Sequence, residues 1–316
     1  MKTKDTKRME LTDIKEFNLA AIDVGSNASR LLIKTICIDL EGGMSMRKAL
    51  FIRVPLRLGM EVFKKGFISD KKEEEFVRTM KAYKQLMKVF QVIDYKACAT
   101  SAMRDAKNSK QVLKQITEKT GLILKIISGD EESQIIYDIH LSQIQDSNNY
   151  LYVDVGGGST EITFISKGQR IMSHSYNIGT VRLLNDAVKT DEINHIKEEL
   201  KRVTDDYKDI TIIGSGGNIN KLYRIASKRD KLVDTLPVQT LVKLHDRLSK
   251  LSLEERMDVF NMKPDKADVI VPAAEIFMMI AQSVGAKYIK VPNVGLADGL
   301  INDMAQKFMN NNHTFE

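Results

Sequence analysis

Apolar and polar positions along the chain fall into two series of elements with the same layout. In the first series, residues 17–22 form a mixed apolar run that leads into Asp23. After a turn at 25–29, the run 31–38 reads as a second strand. Glu41, Gly42 and Gly43 connect it to further strand-like sequence at 49–54, so the first glycine turn lies between two strands. A helix is expected over 70–90. Asp70 and Glu73 have capping-box spacing there, and Phe76, Met80, Tyr83, Met87 and Phe90 recur at helical intervals as a packing face. Residues 95–99 read as a strand that runs into a polar turn at 100–104. A helix at 109–119 stops at Gly121, and 122–127 reads as a strand. Ser128 opens a helix with Glu131 and Glu132 in its first turn and Ile135, Ile136, Ile139 and Ile144 on its apolar side.

The polar stretch 145–149 marks a connection between domains, after which the pattern restarts. Residues 150–153 are a strand, 156–159 a turn, 162–165 the return strand and 170–176 a third. Helices follow, then a strand at 210–213 whose turn, Gly214-Ser215-Gly216-Gly217-Asn218, opens another helix. Helical periodicity covers 238–250, 253–260 and 267–284. Residues 287–291 are a last strand, 296–308 a last helix, and 310–316 read as a frayed tail. Mixed strands and helices in one order, repeated twice, predict an α/β protein of two similar domains. The first is expected over 17–133 and the second over 148–297, with 298–316 a C-terminal helix packing back on the first. Asp-Val-Gly recurs at Asp23 and Asp154, each time at the end of the first strand of its half.

Composition narrows the class. A chain of 316 residues with 43% hydrophobic and 28% charged residues builds two ordinary globular domains. No run of about 18 apolar residues suggests a membrane span. Residues 1–8 are polar and lack the apolar core of a secretory leader, so a cytoplasmic location is expected. Cys37 and Cys98 give no disulfide framework, and the five histidines never fall at metal-ligand spacing. The net charge of +6 is a mild basic excess on a soluble surface. Lys64, Lys65 and the run from Lys221 through Arg224, Lys228 and Arg229 to Lys231 would also attract a polyanion. Trp is absent and aromatic residues are few, so no base-stacking platform is visible and nucleic acid is not an expected partner.

Glycine in a strand-to-strand turn lets a ligand approach the main chain, and successive N–H groups there form an anion-binding concavity. Either Asp-Val-Gly turn alone reads equally as an ordinary hairpin; one at the start of each half points to a phosphate clamp. Gly25, Ser26 and Asn27 form the first candidate loop and Gly156, Gly157, Gly158 and Ser159 the second. Gly216 and Gly217 place helix N–H groups on a further phosphate, or simply ease a connection. Asp23 and Asp154 beside a phosphate make sense with a Mg²⁺ ion or metal-bound water between them, and Glu161 is a further candidate for metal or water. No Gly-Lys-Ser/Thr closes a loop and the first loop does not open a helix. That argues against a P-loop ATPase and against a dinucleotide enzyme. Arg104, after a strand end, would bind phosphate bidentately. Glu131 and Glu132 suit a helix start electrostatically, and at a cleft either would orient an attacking water.

The segments 22–31, 99–108, 127–133, 153–161 and 214–218 resemble, in this order, the motifs of the exopolyphosphatase/guanosine pentaphosphate phosphohydrolase (Ppx/GppA) family. They are its first phosphate motif, its arginine motif, its catalytic-glutamate motif, its second phosphate loop and its later glycine turn. The resemblance implies the actin/Hsp70/sugar-kinase (ribonuclease H-like) fold, with two domains flanking a cleft. It implies Mg²⁺-dependent removal of terminal phosphate from inorganic polyphosphate or of the 5′ terminal phosphate from guanosine pentaphosphate. It gives the water-activating role to Glu132 and the scissile phosphate to Arg104. Asp154 and Glu161 take metal and water, and the residues around Gly25 and Gly157 take phosphates.

Two positions depart from the family pattern. Ala28 stands where serine is usual, and Gly295-Leu296-Ala297-Asp298-Gly299 lacks an arginine-glutamate pair. Longer members carry a further helical C-terminal domain that extends the polyphosphate-binding surface, so processive action on long chains is not expected from the resemblance alone, and short polyphosphates and a nucleotide stay open. The expectation is an exopolyphosphatase-type hydrolase with Mg²⁺, no membrane partner, and homodimer formation in keeping with the class. Guanosine pentaphosphate is the rival substrate. A non-catalytic phosphate sensor is disfavoured by Arg104, Glu132 and both loops. A sugar or acid kinase on the same fold would need an acidic base beside a hydroxyl substrate and an adenosine pocket, and the sequence shows no clear case for either.

Overall fold

A computed structural model describes residues 15–140, 148–226, 234–292 and 294–312. The first series begins with β1 (Lys15–Val24), β2 (Ser29–Ile38) and β3 (Met44–Val54), followed by α1 (Leu58–Lys65) and α2 (Asp70–Val89). It continues through β4 (Val92–Ala99), α3 (Ser101–Asp105), α4 (Ser109–Thr120), β5 (Lys125–Ile126) and α5 (Gly129–His140). The second opens with β6 (Asn149–Val155), β7 (Thr160–Ser166) and β8 (Gln169–Tyr176). Then come α6 (Thr180–Leu184), α7 (Thr190–Thr204), β9 (Thr211–Ser215), α8 (Gly217–Ala226) and β10 (Thr235–Pro237). Last are α9 (Val238–Ser249), α10 (Leu253–Phe260), α11 (Pro264–Ala267), α12 (Ile270–Ser283), β11 (Tyr288–Lys290) and α13 (Leu296–Asn312).

Among these residues two mixed sheets form, ordered β3-β2-β1-β4-β5 and β10-β11-β9-β6-β7-β8. In each sheet an antiparallel three-strand meander is joined by a parallel strand alongside its first member, β4 beside β1 and β9 beside β6. The layout is therefore duplicated, and the second sheet adds β10 at its edge. β1 is apolar from Leu19 to Ile22 because both of its faces are covered there. Ala20, Ile22 and Val24 pack with Phe76, Met80 and Tyr83 of α2, while Leu19 and Ala21 pack with Leu300, Ile301 and Met304 of α13. The last helix thus returns to the first sheet. β6 is enclosed likewise, with Leu151, Val153 and Val155 on the larger core and Tyr150 and Tyr152 on the other face.

Several expected boundaries shift. The cap of α2 is Ser69, whose Oγ accepts the Lys72 N–H, and Asp70 is the first helical residue. The polar turn at 100–104 is wound into α3. The strand expected at 122–127 pairs only at Lys125 and Ile126, because Leu122 and Leu124 turn into the core. The helix expected at 267–284 is two pieces separated at Asp268 and Val269, with Asp268 ion-paired to Arg57. α1 and β10 are additions, and α13 continues to Asn312. The Ser128 cap is as expected: its Oγ accepts the Glu131 N–H at 3.0 Å and Glu131 accepts the Ser128 N–H at 2.9 Å. Residues 1–14, most of the 145–149 connection, Ile144, and Lys228, Arg229 and Lys231 of the basic run lie outside the described residues.

Candidate active site

The two Asp-Val-Gly turns close in the same way. Gly25 donates its N–H to the Ala28 carbonyl at 3.0 Å, and Gly156 donates to the Ser159 carbonyl at 2.9 Å. Both N–H groups are engaged inside their turns, so the tips carry the ligand-facing groups. In the second loop α6 sets the orientation. Thr180 N–H donates to Gly156 O at 3.0 Å and Val181 N–H to Gly157 O at 2.7 Å. A trans peptide points its carbonyl and the next N–H to opposite sides. The N–H groups of Gly157 and Gly158 therefore point away from α6, the arrangement an anion site requires.

Both loops border one cavity of ≈ 260 Å³. Asp23, Gly25, Ser26 and Asn27 line it from the first half, as does Glu132 from α5. Asp154, Gly156, Gly157, Ser159, Gly216 and Gly217 line it from the second. Gly158 does not: a Cβ there would collide with Phe63 of α1 and lie 2.5 Å from Ser101 Oγ, so this glycine is where the two halves touch. Ser26 Oγ is shared with Ser101 Oγ at 2.8 Å and accepts the Ala102 N–H at 3.1 Å, which makes it an anchor for the start of α3. Asn27 reaches across to donate to the Asp265 carbonyl at 2.9 Å.

Arg104 lies behind the cavity wall. Its Nη1 donates to Glu132 Oε2 at 3.0 Å and to the Ile127 carbonyl at 2.9 Å, and its Nη2 donates to Ser159 Oγ at 3.3 Å. It holds the Glu132 carboxylate and the Ser159 hydroxyl, two groups of residues that line the cavity. Glu132 is buried, and its acid–base balance is pushed well above the usual carboxylate range by desolvation and by Glu161, with Arg104 opposing. Asp154 is pushed up to about 6 by burial, against the pull of Arg30 and Ser215. Glu161, also outside the cavity lining, accepts the Ser175 hydroxyl at 2.8 Å and is pushed up to about 7 by burial and by Asp154. Asp23 is ion-paired to Arg30. Of the three expected metal ligands, Asp154 and Glu161 stand as facing strand partners, whereas Asp23 has a resident cation. Among the described residues no group of three or more His, Cys, Asp or Glu is gathered to hold a metal ion.

The cavity also contains Arg224 of the expected basic run and four cations that the sequence did not single out: Arg30, Lys48, Arg53 and Lys266. Lys266 is half-buried beside α8, donates to Asn218 Oδ1 at 3.0 Å, and has its proton affinity lowered by desolvation and by Arg53 and Arg30. Arg30 had a signal. It follows Asp23 at the same spacing as Glu161 follows Asp154, and both pairs are in register across their hairpins. Lys266 had none, since it arrives from a helix far along the chain.

With this geometry, a family model for the Ppx/GppA phosphatase family matches residues 41–308. The chain belongs to the Ppx/GppA phosphatase family. As a family member it is an enzyme, a hydrolase of phosphoric anhydrides. It is 27% identical over 298 residues to the bifunctional 3-dehydroquinate synthase/phosphatase of Fusobacterium nucleatum, covering 87% of this chain and 45% of that one. The chain therefore spans under half of that relative. Exopolyphosphatase 1 of Mycobacterium tuberculosis is 22% identical over 305 residues, 90% of this chain and 87% of that one. Among solved structures, the Aquifex aeolicus Ppx/GppA family member has 26% identity and a TM-score of 0.72, covering 93% of this chain and 99% of that one. An exopolyphosphatase from Cytophaga hutchinsonii shares the fold, with a TM-score of 0.79 at 21% identity over 92% and 98% of the two chains. The expected family is thus met, and with it an α/β fold shared with solved Ppx/GppA structures. Among the described residues no helix is long and apolar enough to cross a membrane.

Proposed function

We propose that this Ppx/GppA protein is an exopolyphosphatase that releases terminal phosphate from inorganic polyphosphate. The observation that carries the reading is the polarity of one cavity. A buried carboxylate held by arginine stands at one part of it, and Arg30, Arg53, Arg224 and Lys266 line the rest. A chain of phosphates has the charge and length to meet both.

In this reading the terminal phosphate sits between the loop tips and the next phosphates run along the cations. Glu132 accepts a proton from a water placed in line with the terminal phosphorus. The new P–O bond forms as the bridging P–O bond breaks, and the departing phosphate leaves as a stable anion with little acid assistance. Arg104 keeps Glu132 aimed and favours its ionised form. Loop N–H groups stabilise the equatorial oxygens. Asp154 and Glu161 suit Mg²⁺, which is commonly held by one or two carboxylates plus substrate phosphates, and two buried, facing carboxylates gain from a cation. Bound there, the ion would supply charge neutralisation at phosphate oxygens.

One observation favours a second substrate, guanosine pentaphosphate. Phe51 is half exposed and lines the cavity beside Lys48, which offers one aromatic face to a base. The deciding experiment measures phosphate release from polyphosphates of several lengths, guanosine pentaphosphate and ATP, with and without Mg²⁺. The proposal expects polyphosphate turnover that Glu132→Gln lowers by roughly 100-fold or more. A Glu132→Gln variant as active as the wild type would remove Glu132 from the mechanism. Turnover of the nucleotide alone would favour the second substrate.

A further inference from the structure

We propose that Arg182 is a positioning residue, one that sets the second phosphate loop and ties that setting to closure of the cleft. The inference rests on the hydrolytic reading above. Arg182 lies in the short helix α6, away from the cavity lining, and only 9% of it is exposed. Its backbone N–H donates to Gly157 O at 3.0 Å, and its Nε donates to Gly158 O at 2.8 Å. Its Nη2 crosses to the first half and donates to Asp105 Oδ2 at 2.8 Å. The guanidinium also stacks on Phe63, with its carbon 4.1 Å from the ring centroid. Phe63 is the same ring that fills the space a Gly158 side chain would need.

These contacts form a closed circuit. Asp105 follows Arg104 on α3, and Arg104 Nη2 donates to Ser159 Oγ at 3.3 Å. Neighbouring residues of the loop are therefore held by two arginines, the Gly158 carbonyl by Arg182 and the Ser159 hydroxyl by Arg104, and the two arginines meet through adjacent residues of one helix. Because Gly158 O is turned to Arg182, the Ser159 N–H on the same planar peptide points the opposite way. Ser159 lines the cavity. Only a fork-shaped side chain donates to Gly158 O and Asp105 at once with its charge over Phe63; lysine supplies one point charge. The geometry makes opening of the cleft and loss of the loop setting a single event.

The test compares phosphate release from polyphosphate by the wild type, Arg182→Gln, Arg182→Lys, Asp105→Asn and the double variant Arg182→Gln/Asp105→Asn, with thermal midpoints measured in parallel. Arg182→Gln is expected to lower kcat roughly 10- to 100-fold with KM within about threefold. Arg182→Lys should fail to restore it. Asp105→Asn should lower kcat less, and the double variant should be no worse than Arg182→Gln, because residues of one circuit are not additive. A folded Arg182→Gln with wild-type kcat, full rescue by lysine, or independent effects in the double variant would each overturn the inference. If Arg182→Gln does not fold, Asp105→Asn decides alone, since its side chain is 39% exposed, and a wild-type kcat there is fatal. If the wild type itself releases no phosphate, the hydrolytic reading fails instead. The Arg182 inference is then read from amide hydrogen exchange of the second loop, residues 157–159, which Arg182→Gln must speed to sustain it.

Discussion

Arg30 and Glu161 occupy the same place in the two halves of the molecule. Each stands directly opposite the aspartate that ends the first strand, Arg30 opposite Asp23 and Glu161 opposite Asp154. One duplicated hairpin thus carries a cation in one copy and an anion in the other. The first half neutralises its own aspartate with an ion pair. The second keeps two buried carboxylates face to face, and Glu132 of the first half is within their field. The cleft is polarised by that exchange, and the proposed water, metal and base all fall on its acidic side.

The Asp154–Glu161 pair makes stability depend on pH with a definite sign. Glu161 has a folded-state value of about 7 against an ordinary 4.5. The folded state therefore prefers the protonated acid. That preference stabilises fully below the ordinary value and is lost as pH rises through about 7. Without divalent cations, the wild type should lose thermal stability between pH 5 and pH 8 more steeply than Glu161→Gln. Melting curves of both proteins at the two pH values check this. Parallel losses would mean that Glu161 is not the group responsible. Added Mg²⁺ should narrow the gap at the higher pH.

Arg104 makes a separate prediction, because it opposes the burial and the Glu161 charge that raise Glu132. Removing it leaves a base that ionises at higher pH. Arg104→Gln should lower kcat/KM at neutral pH by roughly tenfold or more, and part of the loss should return under alkaline conditions. The acid limb of the pH–rate profile should move upward. An unshifted limb would place Arg104 outside the control of Glu132.

The sequence made the duplicated layout legible because both halves begin with an enclosed strand, a four-residue glycine turn and a return strand, all set by local periodicity. Glu132, Arg104 and both loops were visible for the same reason: each sits at a strand or helix end with turn chemistry around it. What stayed hidden came from distant pairing. Lys266 and Arg53 reach the cavity from separate parts of the chain. Ser26 looked like a phosphate donor until Ser101 and the start of α3 were seen to take its hydroxyl. Arg182 carried no local signal, because its partners Gly158, Asp105 and Phe63 come from three different elements.

Gly216 is fixed twice over. Its φ is +92°, and a Cβ would lie 2.5 Å from Asp154 Oδ1. Gly216→Ala therefore combines backbone strain with displacement of a carboxylate at the cavity. It should cost about 1–3 kcal/mol of stability and lower kcat. Denaturant unfolding and phosphate release measure the two effects. A variant with wild-type stability would mean that the turn relaxes without strain.

Lys266 is half-buried and, among the described residues, has no ion-pair partner; its amine is bonded to Asn218 Oδ1 and lies near Arg53 and Arg30. Desolvation and those cations weigh against its charged form, with Asp265 opposing. Lys266→Met keeps the apolar stem and removes the charge. It should raise the thermal midpoint without ligand. It should also raise KM for polyphosphate roughly tenfold, since a desolvated cation facing phosphate contributes on the order of 1–3 kcal/mol. The stabilisation by added tripolyphosphate should shrink in parallel. A variant that is more stable yet binds tripolyphosphate as tightly as the wild type would show that phosphate does not reach this end of the cavity. The stability gain and the binding loss must come from the same amine, so the two measurements have to move together for the proposed path of the phosphate chain to stand.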